Sequence, residues 1–145
     1  MRRIQVFSLL VLALIAFASP AFAGAGVHLG MTLEPDDFLV GLHWNSRALG
    51  ENIAVVPSIE AGFGDITMIA GNIDGHYSFK TSSDLAPYVG AGFTVNWFDT
   101  EGDSETDFGG SILGGVSLTS KWFFEVKAGL GDVPDWKLYI GAHMP

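Results

Sequence analysis

The chain has 145 residues, with 16 acidic side chains against 7 basic ones, a formal net charge of −9 and no cysteine. This length holds one domain, and the acidic balance excludes nucleic acid as a partner. Without cysteine there is neither a disulfide framework nor a lipid-modified cysteine anchor.

Arg2 and Arg3 precede an apolar run from Val6 to Phe17, followed by Ser19, Pro20 and the small-residue site Ala21-Phe22-Ala23. This three-part pattern predicts a secretory signal peptide over residues 1–23, cut before Gly24. Residues 24–145 then form the mature domain of 122 residues, with five basic and sixteen acidic side chains and a formal charge of −11. No later apolar stretch approaches the roughly eighteen residues that a helical span needs, so any crossing of a bilayer must use strands.

Eight segments alternate with a period of two, the mark of a strand between unlike environments. Val27 to Leu33 points Val27, Leu29, Met31 and Leu33 one way and His28, Gly30 and Thr32 the other. Phe38 to Asn45 points Phe38, Val40, Leu42 and Trp44 to the apolar face, and Asn52 to Phe63 does the same with Ile53, Val55, Pro57, Ile59 and Phe63, opposite Ser58, Glu60 and Gly62. Thr67 to Phe79 opposes Ile69, Ile73, Tyr77 and Phe79 to Asn72, Asp74, His76 and Ser78. Pro87 to Phe98 is the clearest: Val89, Ala91, Phe93, Val95 and Trp97 oppose Gly90, Gly92, Thr94 and Asn96. Phe108 to Leu118, Trp122 to Leu130 and Trp136 to Met144 complete the set. The connections Glu34–Asp37, Gly64-Asp65, Thr119–Lys121 and Asp132–Asp135 read as tight hairpins, which implies an all-β, antiparallel up-and-down order.

Eight such strands fit two inverse architectures: a soluble lipocalin-like periplasmic barrel with its apolar face around a ligand, or a transmembrane β-barrel that shows that face to lipid. The membrane form is expected for two reasons. The opposite face carries ten glycines, at 30, 41, 62, 90, 92, 109, 115, 129, 131 and 141, which suit a narrow lumen better than a water-facing surface. The four tryptophans fall on the apolar face in two aromatic girdles, Trp44 and Trp122 at one end and Trp97 and Trp136 at the other.

The opening Pro87-Tyr88-Val89-Gly90-Ala91-Gly92, the glycine-rich strand near Gly109 to Gly115 and the aromatic strand at Trp122 resemble the small eight-stranded outer-membrane barrels of the OmpA and OmpX type. That resemblance implies a location in the cell outer membrane, with lipid, lipopolysaccharide and the barrel-insertion machinery as partners. Such barrels commonly close on a polar-x-Gly-x-x-hydrophobic pattern and a final aromatic residue. Tyr139, Gly141 and Met144 match the earlier part, and Pro145 holds the last position.

With both termini periplasmic, the outer connections hold Glu34, Asp36, Asp37, Asp65, Asp99, Glu101, Asp103, Glu105, Asp107, Asp132 and Asp135, while the inner turns hold Arg47, Lys80 and Lys121. Residues 99–107 read as an acidic loop. It departs from an EF-hand, with Gly102 fourth rather than sixth, and is expected at most to gather divalent cations loosely.

His76-Tyr77-Ser78 has the His-x-Ser spacing found in lipid A deacylases, but it points into the lumen and no glutamate follows it closely. No catalytic residue, cofactor or metal is therefore expected, and a non-enzymatic structural or surface-interaction role is, with a narrow pore for small solutes as the alternative. Inside the lumen, Glu60, Asp74, Glu125, Lys127, Lys137 and Tyr139 are expected to pair, because an isolated buried ion is costly. His28, His43, His76 and His143 share that face. If Leu33 pairs with Phe38, His28 stands directly opposite His43 and His143 closes beside them. The expectation is a hydrogen-bonded cluster, with Zn²⁺ or Cu²⁺ binding as the alternative.

Overall fold

The computed structural model describes residues 24–33, 36–45, 49–64, 67–100, 103–119 and 121–144. The expected signal peptide, Arg47, Pro145, and the loop acids Glu34, Asp65 and Glu101 lie outside these residues. Eight strands follow in order: β1 (Ala25–Leu33), β2 (Asp37–Trp44), β3 (Ile53–Gly64), β4 (Thr67–Ser78), β5 (Leu85–Thr100), β6 (Asp103–Leu118), β7 (Trp122–Gly131) and β8 (Trp136–His143). Each pairs antiparallel with its neighbours, and β8 returns to β1, so the sheet closes as a barrel and leaves no free edge. Taken once round the barrel, the eight registers displace the path by ten residues along β1. A stagger of this kind accompanies strands inclined roughly 35–45° to the axis.

Alternation places the side chains as the period requires. Leu29, Phe38, Val40, Ile73, Phe93, Phe108, Ile112, Phe124 and Ile140 stand exposed on the outside, whereas Glu60, Asp74, Glu125, Lys127 and Lys137 are buried inside. A lipocalin-like barrel has the reverse distribution, so that reading is set aside. In a water-soluble protein this exterior would be an extreme apolar surface, while in hydrocarbon it is the required one.

Two expectations about the strands need correction. Residues 99–100 and 103–107 of the acidic segment are strand, not loop: β5 runs to Thr100 and β6 starts at Asp103, paired residue for residue through Asn96↔Asp107, Phe98↔Glu105 and Thr100↔Asp103. On β6, Glu105 and Asp107 keep one strand parity, opposite Phe98 and Asn96, and cross-strand bonding carries the paired strands on despite low strand propensity. The second correction concerns the first hairpin. Its register pairs Met31 with Phe38, two residues away from the expected match, so His28 stands opposite Gly41 and His43 opposite Gly26.

The lumen is not uniformly polar. Toward the end that carries the β1–β2, β3–β4 and β5–β6 connections, Leu39 and Met68 are fully buried, with Phe98 packed on the same cluster. Leu39 pairs with Gly62, Gly62 with Met68, and Met68 with Phe98, so Leu39 and Met68 share the space that Gly62 leaves and Phe98 stands beside Met68. On β7, Phe123 points inward near the opposite end, where Gly141 leaves room for its ring.

Candidate functional site

The polar interior is built from four groups of side chains whose strands deliver them at inward parity. Lys127 and Lys137 are directly opposed across β7 and β8, an arrangement of like charges that destabilises a sheet unless each finds an anion. Each does. Lys127 Nζ donates to Asp74 Oδ2 at 2.6 Å, and Lys137 Nζ to Glu60 Oε2 at 3.1 Å. Both lysines are only 3% exposed, so these pairs are desolvated and depend on close geometry. The Tyr139 hydroxyl donates to Glu60 Oε1 at 2.8 Å, and His28 Nε2 lies 3.4 Å from the same oxygen.

A neutral chain lies beside the ion pairs. Thr94 donates to Asn72 Oδ1 at 2.7 Å, and Asn72 donates to Ser58 Oγ at 3.0 Å. Asn96, fully buried, has no hydrogen-bond partner for either amide atom. A buried amide left in that condition costs about 1–3 kcal/mol.

Three of the four histidines form the third group. His28 Nδ1 and His43 Nδ1 are 3.2 Å apart, and His43 Nε2 and His143 Nδ1 are 3.1 Å apart. They meet despite the shifted register because glycine faces each ring: a Cβ at Gly41 would strike His28, and one at Gly26 would strike His43. His43 therefore spends its two nitrogens in different directions, so the three imidazoles form a chain and do not converge on one point. A neutral His43 has one N–H and one lone pair, which gives this chain a single direction of donation.

His76 stands apart with the fourth group. Its Nε2 lies 3.7 Å from Glu125 Oε2, its ring stacks on Tyr88 with centroids 4.8 Å apart, and the Tyr88 hydroxyl donates to Glu125 Oε2 at 2.8 Å. Glu125 is thus held by a tyrosine rather than by a lysine. The carboxylate that the sequence around His76-Tyr77-Ser78 lacks comes from β7, across the barrel. Tyr88 has inward parity on β5, and its bond to Glu125, 37 residues on, depends on the closure of the barrel rather than on any local pattern.

These groups surround a cavity of about 60 Å³ whose wall includes His28, His43, His76, His143, Glu60 and Glu125. This is room for several waters. Asn45, Ser78, Ser117 and His143 also line it, at the strand ends near the termini, whereas Leu39, Met68 and Phe98 do not.

On the outer surface, Trp122 and Trp136 are half exposed, and Trp44 and Trp97 are partly covered. Trp97 lies over Gly71 of β4. Trp44 pairs with Ala25 and Trp122 with Ala142 at the end that holds the termini, while Trp97 pairs with Ile69 and Trp136 with Leu33 toward the other.

A closed eight-stranded up-and-down barrel, apolar outside and charged inside, is the fold of small transmembrane barrels. Solved structures agree. The chain is similar to the N-terminal β-barrel domain of Pseudomonas aeruginosa OprF, with a TM-score of 0.61, 16% identity, and coverage of 84% of this chain and 98% of that one. It is similar to Neisserial surface protein A, NspA (TM-score 0.56, 17% identity, 83% and 92% covered), and to the outer membrane enzyme PagL (0.56, 14%, 85% and 99%). No protein-family model matches the sequence. No curated protein matches it either.

Proposed function

We propose that this protein is a non-enzymatic integral protein of the outer membrane, exported with loss of residues 1–23, whose role is envelope structure or surface interaction. The observation that carries this reading is the inverted barrel: large apolar side chains outside, paired ions within. Its partners on this reading are outer-membrane lipid and lipopolysaccharide, the barrel-insertion machinery, and divalent cations held loosely along the acidic 99–107 hairpin. PagL shows that an enzyme can share this fold, so the absence of catalysis is argued from the site. His76, Ser78 and Glu125 line a lumen cavity of about 60 Å³, too small for an acyl chain and turned away from lipid. Folding the purified protein into detergent tests the reading. It predicts a β-rich circular dichroism spectrum and a gel mobility that shifts on heating; a protein that stays folded and monodisperse without detergent contradicts it.

A further inference from the structure

Asp74, His76 and Glu125 each offer a ligand atom, and these atoms lie within 4.8 Å of one another on the wall of the lumen cavity. We propose that they form a binding site for a divalent first-row transition ion, with waters of the cavity completing its shell. The donor set is one imidazole and two carboxylates, which suits borderline ions such as Zn²⁺ better than Ca²⁺ or Mg²⁺.

Two of the three side chains carry atoms that the protein leaves unsatisfied. Asp74 is 3% exposed, and its Oδ1 has no hydrogen-bond partner, while Oδ2 is taken by Lys127. His76 Nε2 is buried and likewise lacks a hydrogen bond. Its nearest anion, Glu125 Oε2 at 3.7 Å, is beyond hydrogen-bond range but close to ligand spacing. Tetrahedral bonds of 2.0–2.1 Å place ligand atoms about 3.3 Å apart.

Each ligand is also held from behind, as metal ligands usually are. Lys127 fixes the Asp74 carboxylate, the Tyr88 hydroxyl fixes Glu125, and the Tyr88 ring fixes the plane of the His76 imidazole. Ser78 and Ser117 line the same cavity at the barrel end where β1 begins and β8 ends.

Titration of the detergent-folded protein with ZnCl₂, followed by calorimetry and thermal melting, tests the site, with MgCl₂ as the control ion. Saturable one-to-one binding in the micromolar range is expected, with a raised melting temperature. His76→Gln should weaken binding at least tenfold, and Glu125→Gln should do the same, while His28→Gln/His43→Gln keeps it within threefold. Heat-shifted gel mobility verifies that each variant is folded, and Tyr88→Phe, which keeps the stacked ring, should weaken Zn²⁺ several-fold through loss of the hold on Glu125. No binding at 1 mM Zn²⁺ overturns the proposal. So does binding that survives His76→Gln but is lost in His28→Gln/His43→Gln, since the ion then belongs to the histidine chain.

Discussion

Lys127, almost fully buried, faces Asp74 at 2.6 Å with the Tyr139 ring 5.7 Å from its ammonium. Replacing it with methionine keeps the volume but strands a buried carboxylate. Lys127→Met should therefore lower the unfolding free energy in urea by about 3–5 kcal/mol. Adding Asp74→Asn should recover much of that loss, and a neutral single substitution would show that water already screens the pair. A second residue-scale test concerns space. A Cβ at Gly115 would lie 2.5 Å from the Tyr88 hydroxyl and 2.6 Å from the Phe124 carbonyl, which is backbone and yields little. Gly115→Ala is expected to cost about 1–3 kcal/mol as an overpacking change, with looser hold of Tyr88 on Glu125. At this scale the sequence showed which way a side chain points, because parity alone decides it. It did not show partners: Lys127 and Asp74 are 53 residues apart, and their meeting depends on barrel closure and stagger.

Among the elements, the strands were legible and their registers were not. Alternation marks a strand wherever the two faces see different surroundings, which is why all eight segments were found, with every end within two residues except the start of β6, which lies five residues before Phe108. Register in the first hairpin follows from fitting two imidazoles against Gly26 and Gly41, a packing condition that no count of loop residues contains. Cysteine pairs test it. Leu29→Cys with Val40→Cys, directly paired on the outer face, should oxidise to a disulfide, and Leu29→Cys with Leu42→Cys, the match expected from loop length, should not. The reverse outcome would restore the other register. The acidic β5–β6 extension was not legible as strand because acids and turn formers are poor strand residues, although the two strands pair residue for residue from Asn96↔Asp107 to Thr100↔Asp103. Amides of Ser104 to Thr106 should exchange slowly for a segment of that composition; exchange at free-peptide rates would return it to a loop.

For the molecule as a whole, Leu39, Met68 and Phe98 belong to a buried apolar cluster, with Ala70, Phe123 and Tyr139, that fills part of a lumen which eight strands already make narrow. Leu39, Met68 and Phe98 sit on the polar face, against the general pattern, so their packing was invisible to a reading based on that pattern. Planar bilayers holding the protein should show no stable single-channel current; regular unitary steps would favour the narrow pore. The central claim, that the outside of this barrel meets lipid, is tested most directly by tryptophan fluorescence in vesicles of brominated lipid. Trp122 and Trp136 are half exposed at opposite ends of the barrel. Single-tryptophan proteins retaining either one should be quenched, more strongly by bromine near the interface than at the bilayer centre, as girdle residues are. Emission from reconstituted protein that is indifferent to bromine at every depth would contradict the account.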